Sequence, residues 1–144
     1  MNETIEKFGY PGTLVHEYEH WVVLLRPQQI TLGSLILACK EPALQFGAVS
    51  AAGYAELKQA TGDIERALAE TFSHQKINYL MLMMVDPHVH FHVIPRYAAA
   101  PTLNGRAFPD QSWPGPPALN LYSETDADTN QAIIRAISAH WPGV

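Results

Sequence analysis

His88, His90 and His92 alternate with Val89, Phe91 and Val93, and the run closes on Ile94-Pro95-Arg96. Along an extended strand successive side chains point to opposite faces. The spacing therefore places three imidazoles on one face and Val89, Phe91 and Val93 on the other, toward a core. Imidazole titrates near neutral pH and serves as nucleophile, acid, base or metal ligand. Three readings of the row are open. It decorates the outer face of an amphipathic strand, or it binds a metal, or it is catalytic. In the catalytic case the middle histidine is held in one tautomer as a nucleophile. Its neighbours then donate to phosphate oxygens, and Arg96 adds a cation suited to bidentate phosphate contact. Spacing weighs against a metal. Neighbouring same-face positions are about 6.6 Å apart and the outer two about 13 Å, whereas zinc needs nitrogens at about 2.0–2.1 Å. His16 and His20, the only other close pair, read as surface positions, so no metal site is expected.

The elements that must carry this row are legible in outline. Leu14 to Leu25 predicts one or two strands, with Trp21–Leu25 rich in β-formers and Arg26-Pro27 ending them. A second apolar run, 31–38, is entered through Gly33-Ser34. Ser50 is the N-cap expected for a long helix to about Phe72, with Tyr54, Leu57, Ile64, Leu68 and Phe72 as its buried stripe. Ile77 to Met84 predicts a strand, Asp86-Pro87 a turn, and the histidine strand runs from about His88 to Pro95 as the other arm of an antiparallel hairpin. Met81, Met83 and Met84 are expected to fill core gaps or a dimer seam. Residues 98–122 hold five of the eleven prolines and read as irregular chain. Trp113 within it either anchors the loop or covers the site. Thr125 or Asp126 caps a last helix, with Ile133, Ile134, Ile137 and Trp141 on its apolar face. The order of elements predicts an α+β fold on an antiparallel sheet.

Composition narrows the function. The chain has 144 residues, 47% of them hydrophobic and 16% charged, which suits one globular domain over 1–144. A net charge of −5 without a basic stripe argues against nucleic-acid binding, though not against a small anionic ligand. A lone Cys39 cannot form an internal disulfide and suits a reducing compartment. The first ten residues lack an apolar run, and 79–85 is too short to span a membrane. A soluble cytoplasmic protein without membrane contact is expected.

The run His88-Val89-His90-Phe91-His92-Val93-Ile94-Pro95-Arg96 resembles the histidine triad (HIT) signature in its form ending Pro-Arg. Other segments are similar in the family's order. Glu17-Tyr18-Glu19-His20 with Trp21–Leu25 matches the opening hairpin, Gly33-Ser34-Leu35-Ile36-Leu37 the Gly-His strand, and Trp113-Pro114-Gly115-Pro116-Pro117 some Trp-Pro C-terminal segments. The resemblance implies an α+β, HIT-like fold with a five-stranded antiparallel sheet, one long central helix and a C-terminal helix. It further implies a homodimer acting on a small-molecule nucleotide, with the diadenosine polyphosphate hydrolase-like branch the nearest. By motif position His90 would attack the α-phosphorus and carry a nucleotidyl group, and His88 and His92 would orient the site and bind phosphate. Water would then release the nucleoside monophosphate, or another acceptor would take the group. No cofactor is required; Mg²⁺ would enter only with a polyphosphate substrate. Three positions depart from the pattern. Ser34 stands for the family's histidine after glycine and Arg26 for its ribose-binding Asp or Asn. Met84 or Val85 stands for a polar residue before the triad. Arg26, Ser34 and Arg96 are the candidate substrate contacts. The same departures motivate an alternative, a HIT-fold nucleotide-binding protein with little or no catalysis.

Overall fold

The computed structural model describes residues 1–143. Five strands, β1 (Leu14–Glu17), β2 (Trp21–Leu25), β3 (Leu35–Cys39), β4 (Lys76–Leu80) and β5 (His90–Arg96), form one antiparallel sheet in the order β1-β2-β3-β5-β4. The expected α+β fold and five-stranded antiparallel sheet are present. Among the described residues three α-helices accompany it: α1 (Glu3–Lys7), α2 (Ala51–Phe72) and α3 (Ala127–Ser138).

β2, β3 and β5 are buried on both faces, which explains why β2 and β3 read as continuous apolar runs. On one face Val89 and Val93 join Trp21, Val23, Leu35 and Leu37, and this layer packs on Ala60, Ile64, Ala67 and Leu68 of α2 and Ile133 and Ile137 of α3. Phe91 packs against the same core, so the odd-numbered residues of the histidine run face the helices as expected. The other face carries Val22, Leu24, Ile36 and Ala38, covered by Ile5 and Phe8 from α1 and its end.

The helix boundaries follow their caps. Ser50 accepts from the Gly53 amide and begins α2, and Asp126 accepts from Thr129 and begins α3. The α2 stripe differs from expectation. Gly53, Ala60, Ile64, Ala67 and Leu68 are buried, whereas Tyr54 is exposed. Small residues let the helix sit close to the sheet at Gly53, where the Trp21 indole donates to the main-chain carbonyl at 2.7 Å. Tyr54 is thereby turned out, and its hydroxyl donates to the Phe46 carbonyl.

Two strand boundaries also differ. The predicted strand 77–84 stops at Leu80, and the histidine strand starts at His90. Val89 exchanges its backbone bonds with Ala43 and Cys39, and His90 pairs with Ala38. Leu80 opposite His92 is the last rung between β4 and β5, so Met81–Met84 have no ladder to join. The segment leaves the sheet, Met84 becomes 85% exposed, and only Met81 packs on the core. The helix α1 was not expected. Residues 98–122 are irregular apart from a short hairpin, β6 (Thr102–Leu103) with β7 (Arg106–Ala107). Phe108 anchors this stretch in the core at 1% exposure. Among the described residues no helix is long and apolar enough to cross a membrane.

Candidate active site

The register fixes what surrounds the histidines. Residues directly opposite in an antiparallel pair share a face. His90 lies across from Ala38, which lies across from Val22; His92 lies across from Ile36 and, on its other side, from Leu80. Both imidazoles therefore rise from an apolar surface. The N-terminal segment covers them: the Phe8 ring stands 5.6 Å from His90 and 6.1 Å from His92 by centroids. His90 and His92 are buried, at 2% and 7% exposure.

Hydrogen-bond partners assign a tautomer to His90 and His92. His90 Nδ1 lies 2.7 Å from the main-chain carbonyl oxygen of His88. A carbonyl only accepts, so Nδ1 carries the proton and Nε2 presents a lone pair. His92 faces the opposite arrangement, because Arg26 Nε donates to its Nδ1 at 3.4 Å. A guanidinium only donates, so the His92 proton sits on Nε2. The Thr4 hydroxyl accepts from the His88 amide at 3.3 Å and lies 3.0 Å from His88 Nδ1. A hydroxyl has one proton and two lone pairs, so it can donate to that Nδ1 or accept from it, and the contact fits either His88 tautomer. The rings of His90 and His92 meet edge to face at 5.3 Å. Burial first, and then the cationic Arg26 guanidinium and the adjoining His90 ring, push the His92 pKa down to about 4. His92 is a neutral donor at physiological pH.

Arg26 reaches the site from the end of β2. Its Nη1 donates to the Gln28 carbonyl at 2.8 Å. Buried Gln29 braces the following loop: its amide donates to the carbonyls of Arg26 and Ser34, and its Oε1 accepts from the Gly33 amide. Gly33 has φ +90°, and a Cβ there would stand 3.1 Å from Leu68 and Phe72. Arg26, His90 and His92 line one cavity of about 210 Å³ with Leu119 and residues 82–86. Met83, at φ 44°, turns that segment through the left-handed region, a conformation that favours glycine.

The other expected contacts lie elsewhere. Ser34 is fully buried, and its hydroxyl closes a turn by accepting from the Thr31 amide at 3.0 Å and donating to the Thr31 carbonyl at 2.8 Å. Ser34 does not line the histidine cavity. Arg96 shares the histidine face but is 3% exposed, and four of its five N–H donors are engaged. Its Nε donates to Asp110 at 2.7 Å, its Nη1 to Asn78 and its Nη2 to Asp110 and Ser112. It ties the proline-rich segment to the sheet and does not line the histidine cavity. Trp113 lies in a separate groove of about 830 Å³ along the β4 edge. His16 stacks on Trp141 at 5.1 Å, and His20 sits in a carboxylate cluster away from the triad, with Glu41 3.3 Å from its Nδ1. Sequence reasoning missed Thr4, Phe8, Gln29 and Leu119. Thr4, Phe8 and Leu119 meet the site from far along the chain, the first two through packing of the N-terminal segment over β5, and Gln29 acts by bracing the loop after Arg26.

No protein-family model matches the chain, and no curated protein matches it. Solved structures do. A histidine triad protein from Bradyrhizobium japonicum superposes with a TM-score of 0.72 at 19% identity, covering 98% of this chain and 96% of the other. One from Sinorhizobium meliloti gives 0.74 at 18%, covering 97% and 95%. A zinc-bound histidine triad family protein from Mycobacterium smegmatis gives 0.62 at 20%, covering 94% and 89%. Sequence identity this low speaks for architecture alone, and on that ground the chain has the histidine triad fold.

Proposed function

We propose that this protein is a nucleotide hydrolase or nucleotidyl transferase that works through His90. The observation that carries the reading is the 2.7 Å bond from His90 Nδ1 to the His88 carbonyl. It leaves Nε2 unprotonated on a ring that cannot rotate without losing the bond. In this reading Nε2 attacks the α-phosphorus of a dinucleoside polyphosphate or related nucleotide conjugate, and a nucleotidyl-histidine forms. The Nε2 proton of His92, the Arg26 guanidinium and the His88 imidazole stabilise the non-bridging oxygens as charge develops. Water then breaks the N–P bond and releases the nucleoside monophosphate. The cavity of about 210 Å³ is below the about 300–1,000 Å³ usual for whole ligands. It suits the phosphorus and its leaving group, with the nucleoside lying outside. Arg96 and Ser34 act in this reading by holding the segments that carry Asp110 and Arg26. The reading includes a homodimer, for which β4 offers an unpaired sheet edge. Mg²⁺ enters it only as a companion of the substrate.

A second reading is a nucleotide-binding protein with little catalysis. The near-complete burial of His90 favours it. Turnover separates the two. Replacement of His90 by alanine should lower hydrolysis of a dinucleoside polyphosphate or nucleoside phosphoramidate by about 10³-fold or more. Stabilisation by these nucleotides without any product would favour the binding reading.

A further inference from the structure

From the sequence His20 reads as a surface position, but the fold gathers three carboxylates around it. His20 stands beside Glu19 in the turn between β1 and β2. Glu41 follows β3, and Glu56 belongs to α2, which packs on the sheet face opposite the triad imidazoles. Each carboxylate has a different set of partners. Glu56 Oε1 accepts from the amides of His20 and Trp21 at 2.7 and 3.0 Å, and its second oxygen has no hydrogen-bond partner among the described residues. Glu41 is fixed by Ser50, whose amide and hydroxyl donate to its two oxygens at 2.9 and 2.7 Å. It lies 3.3 Å from His20 Nδ1. Glu19 lies 4.0 Å from Nε2 of the same ring and is 85% exposed along its side chain. One nitrogen of His20 and one oxygen each of Glu19 and Glu56 stand within 4.8 Å of one another. A carboxylate only accepts, so Glu41 favours the ring proton on Nδ1 and leaves the Nε2 lone pair turned toward Glu19. Lys40 does not neutralise the cluster, because Glu17 and the Tyr18 carbonyl engage it.

We infer that His20 Nε2 and one oxygen each of Glu19 and Glu56 bind a divalent transition-metal ion of the zinc class. The inference is independent of the His90 reading. The donor set decides the class of ion. Imidazole suits zinc, copper, iron or nickel, whereas calcium and magnesium take oxygen ligands. Zinc holds nitrogen and oxygen at about 2.0–2.2 Å, so neighbouring atoms of a tetrahedral shell stand about 3.3–3.5 Å apart. The cluster must therefore contract by on the order of 1 Å. Glu19 is the ligand able to do this, because it sits exposed in a turn and makes no hydrogen bond among the described residues. Three protein ligands leave the fourth position to water. Glu41 is the carboxylate behind the imidazole, the arrangement that fixes tautomer and ring orientation at metal-bound histidines. The ion ties the β1–β2 turn to α2 and places positive charge among three carboxylates that share one imidazole.

The test is calorimetric titration of the whole protein, freed of metal by a chelator, with Zn²⁺. One Zn²⁺ should bind per chain. Loss of an outer partner alone costs about 10–100-fold in metal affinity, so His20→Gln and Glu19→Gln should each weaken binding at least about tenfold. Glu19→Gln alters an exposed side chain, which keeps the comparison valid if His20→Gln fails to fold. In ¹⁵N spectra of the wild-type protein Zn²⁺ should move the His20 Nε2 resonance, leave the proton on Nδ1, and leave His88, His90 and His92 in place. Ca²⁺ or Mg²⁺ in about tenfold excess should not displace the zinc. Binding only at about millimolar Zn²⁺ would overturn the inference, as would affinity that survives the Glu19 variant. Zinc-induced shifts confined to the triad imidazoles would overturn it too, and so would equal competition by Ca²⁺.

Discussion

Thr4 and His88 are 84 residues apart in sequence, yet the Thr4 hydroxyl lies 3.0 Å from His88 Nδ1. The N-terminal helix thereby fastens to the residue whose carbonyl holds His90. Nitrogen chemical shifts read tautomers directly. At pH 7 the ¹⁵N spectrum should show His90 with its proton on Nδ1 and His92 with its proton on Nε2. His90 found protonated on Nε2 would remove the nucleophile.

The pH behaviour of His92 follows from its burial. Its folded pKa of about 4 lies below the unfolded value of about 6.5. Between those values the unfolded chain binds the extra proton, so stability increases with pH through this window and is lost as pH falls from 6.5 toward 4. His16 and His74, also lowered by burial, act in the same direction. Removing a neighbouring cation favours the protonated ring, so Arg26→Gln should raise the His92 titration midpoint. An NMR titration of wild type and variant checks both statements.

Asp110 and Arg96 form the most buried ion pair among the described residues, with side-chain exposures of 1% and 4%. Burial works to raise the Asp110 pKa, but the Arg96 bond and the Tyr97 and Ser112 amides outweigh it and hold the carboxyl below its ordinary value. Asp110→Ala leaves a buried guanidinium short of acceptors, at a cost of about 3–5 kcal/mol. Chemical denaturation should show that loss, and hydrogen exchange should rise across 108–119 while α2 is little changed.

Phe8 is the cover over the two inner imidazoles, and Phe8→Ala should uncover them. Diethyl pyrocarbonate modification of His90 and His92 should accelerate several-fold. The cost in stability should be about 1–3 kcal/mol, less than for a fully buried aromatic because Phe8 is only half-buried. Unchanged modification rates would mean that access is controlled from the Leu119 side.

The parts of this molecule that depend on local pattern could be read from the chain. Alternation placed Val89, Phe91 and Val93 on the helix side, Ser50 marked the start of α2, and Thr125-Asp126 marked the start of α3, where Asp126 is the cap. Features set by distant partners could not be read. The five-residue α1 is too short to show a period, and its place over His90 depends on the packing of Ile5 and Phe8. Arg26 looked like a strand end or a phosphate contact, and its bond to His92 appears only once β2, β3 and β5 align. Arg96 sits in the motif, but Asp110 occupies its donors from an irregular segment. Tyr54 failed as a core residue because Gly53, one position away, lets α2 approach the sheet.

The claim on which the rest depends is a covalent bond from phosphorus to His90 Nε2. Intact-protein mass spectrometry under alkaline quench, where N–P bonds survive, tests it after brief incubation with mixed nucleotide conjugates. The account predicts one added nucleoside monophosphate, mapped to His90 and absent from His90→Asn. Turnover without any adduct in the wild-type protein, or an adduct that persists in His90→Asn, would contradict it.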